Sequence, residues 1–137
     1  MSVSAVSKMK VLVVDDEELI ARSLSSYLTA MSFDVVWTTS SCKALSLIHE
    51  GIFDVLISDI LMAPTNGIEL VKELRKRDKN CKIVMMSAIV ERMEIERQLA
   101  DLDVRAFFEK PFDARLIYET LMEITNEIRN FQISKKS

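Results

Sequence analysis

Val55-Leu56-Ile57-Ser58-Asp59 is a short, nearly all-apolar run that ends in a carboxylate. Residues 60–66 follow it as a loop that contains Pro64. An apolar run bounded by a loop reads as a buried strand. The absence of polar alternation is that of a central strand in a parallel sheet covered on both faces. Asp59 then sits at the carboxyl end of its strand, where open α/β sheets keep their chemistry. An Asp that merely starts a loop is the plainer reading, and only the rest of the chain decides against it.

The same pattern recurs on both sides. Lys10-Val11-Leu12-Val13-Val14 runs into Asp15-Asp16-Glu17-Glu18, and Lys82-Ile83-Val84-Met85-Met86 runs into Ser87-Ala88. Ala106-Phe107-Phe108 runs into Glu109-Lys110-Pro111, and Val35-Val36-Trp37 is a further β-branched and aromatic run. Helical spacing fills the intervals. Leu19, Ile20, Ser23, Leu24, Tyr27, Leu28 and Met31 follow the first strand. Ser40 or Ser41 can cap a second helix bearing Ala44, Leu45, Leu47 and Ile48, which stops at Gly51. Gly67 precedes a third with Ile68, Leu70, Val71 and Leu74. Ile95, Leu99 and Leu102 give a fourth helix only a narrow apolar stripe, so it should be half exposed and loosely held. A last helix starts near Asp113 and carries Leu116, Ile117, Leu121, Ile124, Ile128 and Phe131. Five strands alternating with five helices predict a doubly wound, five-stranded parallel α/β sheet with right-handed crossovers.

Composition narrows the function. At 137 residues the chain has the size of one domain, and a net charge of −3 argues against a nucleic-acid surface. Cys42 and Cys81 have no metal-ligand spacing and read as small apolar residues in a reducing compartment. The apolar runs fall far short of the ~20 residues that span a bilayer. With no signal peptide evident at the start, a cytoplasmic location is expected. His49 and the run Arg75-Lys76-Arg77 fall in last helical turns, where the helix dipole alone accounts for them on a solvated face. The dipole likewise accounts for Glu17 and Glu18 at the front of the first helix, but less well for Asp15 and Asp16.

Parallel strands point the same way, so Asp15, Asp16, Asp59, Ser87 and Lys110 converge on one edge of the sheet. Two like charges 4 Å apart repel by ~4 kcal/mol even at an effective dielectric of 20, so three carboxylates there call for a cation. All-oxygen donors imply a hard ion, Mg²⁺ or Mn²⁺. An ammonium and a hydroxyl beside them complete a socket for a phosphoryl group, whose transfer needs positioning and charge neutralisation. Asp59 is then the nucleophile.

Val13-Val14-Asp15-Asp16-Glu17, Asp59 at the end of the third strand, Gly67 eight residues on, Ser87-Ala88 and Lys110-Pro111-Phe112 together resemble the receiver domain of bacterial two-component response regulators. The resemblance covers about residues 10–128, leaving 1–9 as a tail and 129–137 as a helical extension or the start of a linker. It implies a flavodoxin-like (βα)5 fold with strand order 2-1-3-4-5. Asp59 would be the phosphoacceptor. Asp16 and Asp59 would bind Mg²⁺ directly, Asp15 through water, and the backbone carbonyl of Leu61 would be a further ligand. Ser87 and Lys110 would bind phosphoryl oxygens, with Ser87 and Phe107 as the switch pair. The implied donor is a phosphohistidine on a sensor histidine kinase or histidine phosphotransfer protein. The implied output surface is the fourth helix, fifth strand and fifth helix, open to a downstream effector or a second copy, without direct nucleic-acid or membrane binding. Such a protein is no conventional enzyme; it catalyses its own Mg²⁺-dependent phosphorylation and dephosphorylation.

Several residues depart from the family pattern. Ala63-Pro64 replaces an earlier proline in the loop after Asp59, Phe107 lacks a hydroxyl, and Ser87 stands where Thr is common. Asp103 replaces a glycine after the fourth helix and should act as a left-handed C-cap. The resemblance also implies a cis Lys110–Pro111 bond. Leu61 and Ile89, which flank the path of a hydrolytic water in the family, are apolar and predict a long-lived phosphorylated state. A Mg²⁺-dependent phosphohydrolase of small molecules is the alternative enzyme, but no insertion could build its substrate cap. A receiver-like module that is never phosphorylated should have lost an acid or the lysine, and this chain keeps them.

Overall fold

The computed structural model describes residues 8–62, 66–88 and 92–136. Five strands, β1 (Lys10–Val14), β2 (Asp34–Thr38), β3 (Val55–Asp59), β4 (Lys82–Ser87) and β5 (Ala106–Glu109), form one sheet in the order β2-β1-β3-β4-β5. All neighbours are parallel. The helices are α1 (Glu18–Ala30), α2 (Ser41–Glu50), α3 (Gly67–Arg77), α4 (Arg92–Leu99) and α5 (Ala114–Lys136). The doubly wound fold and the strand order are those expected.

Alternation along the strands divides the core into two layers. Val11, Val13, Val55, Ile57, Val84 and Met86 pack under α1 and α5, against Ala21, Leu24, Leu28, Ile117, Leu121 and Ile124. Leu12, Val14, Leu56, Ile83 and Met85 pack under α2, α3 and α4, against Ala44, Ile48, Leu70, Leu74, Ile95 and Leu99. Each fully buried Val, Leu, Ile or Met among them contributes about 1.5–3 kcal/mol of hydrophobic stabilisation. This burial on both faces is why β3 carries no polar alternation.

Local chemistry sets the helix ends. Ser40, not Ser41, caps α2, its Oγ accepting the Lys43 N–H at 3.1 Å. Asn66 Oδ1 accepts the Glu69 N–H at 3.0 Å at the start of α3. A single 3-10 turn (Ala100–Leu102) continues α4 and ends at Asp103, whose φ of 55° is the left-handed cap expected there. The Lys110–Pro111 bond is cis.

Three sequence expectations need correction. Leu19, Leu116 and Phe131 follow helical spacing but are exposed. Leu116 lies a residue off the buried stripe, and among the described residues Ile128 is the last of α5 packed against the core. The helix itself passes through residue 128 without a break. Arg75 is not a solvated charge. Its guanidinium donates to the carbonyls of Leu102 (2.7 Å), Asp78 (3.3 Å), Cys81 (2.6 Å) and Asp103 (2.9 Å), stapling the end of α3 to the turn after α4. Arg77 bonds His49, with Nη1 3.0 Å from Nδ1 and Nη2 donating to the His49 carbonyl at 3.2 Å. A guanidinium cannot accept, so Nδ1 does, and the imidazole serves a helix contact. Burial pushes the Cys81 thiol up to about 12, which leaves it inert. Among the described residues no helix is long and apolar enough to cross a membrane.

Candidate functional site

Strand register assembles the site. Val14 pairs with Ser58, Asp59 with Met86, and Ser87 with Glu109. Asp15, Asp59, Ser87 and Lys110 therefore stand at nearly one level along the carboxyl edge.

Asp15 is fully buried, and its N–H donates to the Thr38 carbonyl at 3.2 Å. Its Oδ1 accepts the Glu17 N–H at 2.9 Å. Its Oδ2 lies 2.7 Å from Lys110 Nζ as an ion pair, yet has no hydrogen bond of good geometry, alone in this among the buried side-chain oxygens and nitrogens described. Lys110 Nζ also donates to Asp59 Oδ2 at 3.1 Å. The ammonium thus bridges two buried carboxylates. Burial by itself would lower its pKa, but contact with Asp15 and the charge of Asp59 prevail and raise it.

Asp59 is buried and its carboxyl is pushed up to about 6. Burial is the main cause, Lys110 opposes it, and the negative charges of Asp15 and Asp16 add to it. Ser58 Oγ donates to the Asp59 carbonyl at 2.9 Å. Behind that carbonyl stands Gly67, whose N–H donates to the Ile60 carbonyl at 2.7 Å. A Cβ on Gly67 would overlap the Asp59 carbonyl oxygen and lie 2.9 Å from Ile60 Cα. Glycine is therefore what lets α3 begin directly behind Asp59. In the sequence Gly67 was only a spacing mark.

Asp16 is exposed, yet Asp15, Asp16 and Asp59 each place a carboxylate oxygen within 4.8 Å of the others. Hard oxygen donors, an excess of negative charge over one ammonium, and a buried Asp15 Oδ2 lacking a hydrogen bond all fit a small divalent cation such as Mg²⁺. Ser87 is fully buried at the end of β4, its carbonyl accepting the Lys110 N–H at 2.8 Å. Phe107 is half-buried against the α2–α4 layer of the core. Leu61 is exposed beside the site, whereas Ile89 and the Ala63-Pro64 pair lie outside the described residues. From the sequence, one residue of the site had only a helix-dipole role. Glu17 Oε1 is 3.5 Å from Lys110 Nζ, so this acid does more than meet a helix dipole.

A buried carboxylate with an ammonium beside it and two further acids at hand can take up a phosphoryl group. The family described as "response regulator receiver domain" matches residues 11–122. The response regulator protein VraR of Staphylococcus saprophyticus is 34% identical over 126 residues, 90% of this chain and 60% of that protein. The probable transcriptional regulator ycf27 of Guillardia theta is 34% identical over 80% of this chain and 44% of its own length. This chain thus spans about half the length of these relatives. Among solved structures, chemotaxis protein CheY4 of Vibrio cholerae is 28% identical with a TM-score of 0.80, covering 86% of this chain and 99% of its own. A CheY-like receiver domain protein of Methanospirillum hungatei, 22% identical, shares the fold with a TM-score of 0.85 over 90% of this chain and 98% of its own.

Proposed function

The chain belongs to the response regulator receiver domain family of two-component systems, and we propose that within it Asp59 accepts a phosphoryl group from a phosphohistidine on a sensor histidine kinase or histidine phosphotransfer protein. The observation that carries this reading is the buried Asp59 carboxylate, 3.1 Å from Lys110 Nζ, with the carboxylates of Asp15 and Asp16 within reach of one shared cation.

Asp16, Asp59 and the Leu61 carbonyl would hold Mg²⁺ directly and Asp15 through water. The ion would supply neutralising charge for the phosphoryl oxygens. Lys110 would supply a second positive charge, and Ser87 a hydroxyl donor. Asp59 stays ionised above about pH 6, so the nucleophile is ready at neutral pH. An apolar groove of about 280 Å³, lined in part by Leu19, Ile20, Leu24, Pro111 and Phe112, opens beside Lys110. After transfer, Ser87 would turn toward the phosphoryl group and Phe107 would follow it inward, reshaping the face of α4, β5 and α5 for an effector or a second copy. Residues 10–128 form the receiver in this reading, which places the protein in the cytoplasm.

Incubation with acetyl phosphate and Mg²⁺ is expected to add the mass of one phosphoryl group to the wild type and none to Asp59→Asn. Mass spectrometry checks it. An unmodified wild type, or equal modification of Asp59→Asn, would overturn the assignment.

The phosphorylated state should be long-lived, because an apolar Leu61 cannot orient a hydrolytic water. Leu61→Asn is expected to speed dephosphorylation by up to about tenfold, or ~1.4 kcal/mol of barrier. Decay of the purified phosphoprotein measures it, and an unchanged or slower rate refutes control by Leu61.

A further inference from the structure

The carboxylate of Glu17 has a place that helix capping does not explain. Glu17 caps α1 through its backbone, with no side-chain capping bond. Its side chain turns instead toward Lys110, with Oε1 3.5 Å from Nζ. Lys110 therefore faces three carboxylates, Asp15 at 2.7 Å, Asp59 at 3.1 Å and Glu17 at 3.5 Å. The first two are buried, with side-chain exposures of 0% and 7%, whereas that of Glu17 is 63%. Glu17 is thus the solvent-side member of the trio. With Asp16 nearby, the acids outnumber the one ammonium. Any phosphoryl group that reaches Asp59 must bring its negative oxygens to the same ammonium that Glu17 faces.

We propose that Glu17 is a specificity-determining residue: its charge at the mouth of the site slows capture of small anionic phosphodonors, and slows it more the more negative the donor. The proposal rests on the reading of Asp59 as phosphoacceptor. In the reaction concerned, an Asp59 carboxylate oxygen forms a bond to phosphorus as the bond from phosphorus to the donor breaks. Acetyl phosphate releases acetate with the bonding electron pair. Phosphoramidate releases ammonia from its already protonated nitrogen. Glu17 touches neither the reacting atoms nor the electron pairs that move. It acts through the field along the approach and through its hold on Lys110.

The test compares wild type, Glu17→Gln and Glu17→Asp with acetyl phosphate and with the less negatively charged phosphoramidate, at saturating Mg²⁺ and at low and high salt. Glu17→Gln is expected to take phosphoryl from acetyl phosphate about two- to fivefold faster, the size of effect an exposed charge commands. The gain should be smaller with phosphoramidate and should shrink as salt screens the field. Glu17→Asp keeps the charge and should stay near wild type. A readout apart from transfer is Mg²⁺ affinity, from the rise of melting temperature with Mg²⁺. It should weaken slightly in Glu17→Gln, because an acid has been lost, so tighter metal cannot explain faster transfer. Equal rates for wild type and Glu17→Gln would overturn the proposal, as would a gain of equal size with both donors or one insensitive to salt. A wild type that accepts phosphoryl from neither donor would overturn the reading of Asp59 along with it. A wild type that accepts phosphoryl while Glu17→Gln keeps its donor ratio would overturn this proposal alone.

Discussion

Lys110→Met is expected to lose about 3–5 kcal/mol of stability at neutral pH without divalent cation, the cost of breaking a buried ion pair by removing one partner. The Lys110 side chain is 8% exposed, and a methionine can fill its volume. What it cannot replace is the charge between Asp15 and Asp59. Two conditions should restore stability. The first is acid. Asp59 has a folded pKa of about 6 against an ordinary 3.8, so the folded state holds the extra proton between those values. Its protonation thus favours folding below about pH 4, and that contribution is lost as pH rises through about 6. Without Lys110, whose charge now lowers that pKa, the dependence should steepen and extend upward. The second is Mg²⁺, which offers the same carboxylates a different counter-charge. Urea unfolding of wild type and variant at pH 5 and pH 7.5, with and without Mg²⁺, decides the matter. A loss equal at both pH values and unmoved by Mg²⁺ would mean that only the packing of the lysine stem had been removed.

The second large effect is expected from Gly67→Ala, where local propensity and tertiary packing disagree in sign. Alanine is the better helix residue by about 1 kcal/mol, so helix preference alone predicts a gain at the start of α3. The added Cβ, however, meets backbone, the Asp59 carbonyl oxygen and Ile60 Cα, and backbone cannot swing aside as a side-chain tip would. Overpacking of this kind costs about 1–3 kcal/mol, and here the strain falls on Asp59, the proposed phosphoacceptor. The variant should unfold at lower urea. Its phosphorylation by acetyl phosphate should slow by at least about tenfold, since misplacing reacting groups by an ångström costs that much or more. A variant as stable and as reactive as wild type would show that α3 can back away freely from β3.

These two residues illustrate what the sequence carries openly and what it conceals. β1, β3 and β4 are buried on both faces, so they appear as unbroken apolar runs, and parallel packing then brings their polar ends together. Asp15, Asp59, Ser87 and Lys110 could be placed from that alone. Asp103 could be assigned to a cap because it stands where the family has a glycine and Asp tolerates the left-handed conformation. Gly67, Glu17 and Arg75 depend on neighbours that are close only in three dimensions. Arg75 reaches carbonyls 27 and 28 positions away, and nothing in the run Arg75-Lys76-Arg77 distinguishes the arginine that is tied down from its neighbours. Leu116 lies off the buried stripe, whereas Phe131 lies on it and failed for a simpler reason. Helical spacing defines a stripe, but how far the sheet extends beneath it is a property of the sheet.

The unbroken course of α5 has a mechanical consequence. It begins four residues after Lys110 and runs antiparallel to the strands for 23 residues, which is about 35 Å, or six turns. Its front abuts the carboxyl edge of the sheet, and its rear passes Ile128 toward the opposite edge, where Met9 leads into β1. No proline or glycine interrupts it. A rod of this kind has no joint at which a small roll or slide could be absorbed. A displacement of Pro111 and Phe112 at one end would therefore be carried along one continuous element toward the other.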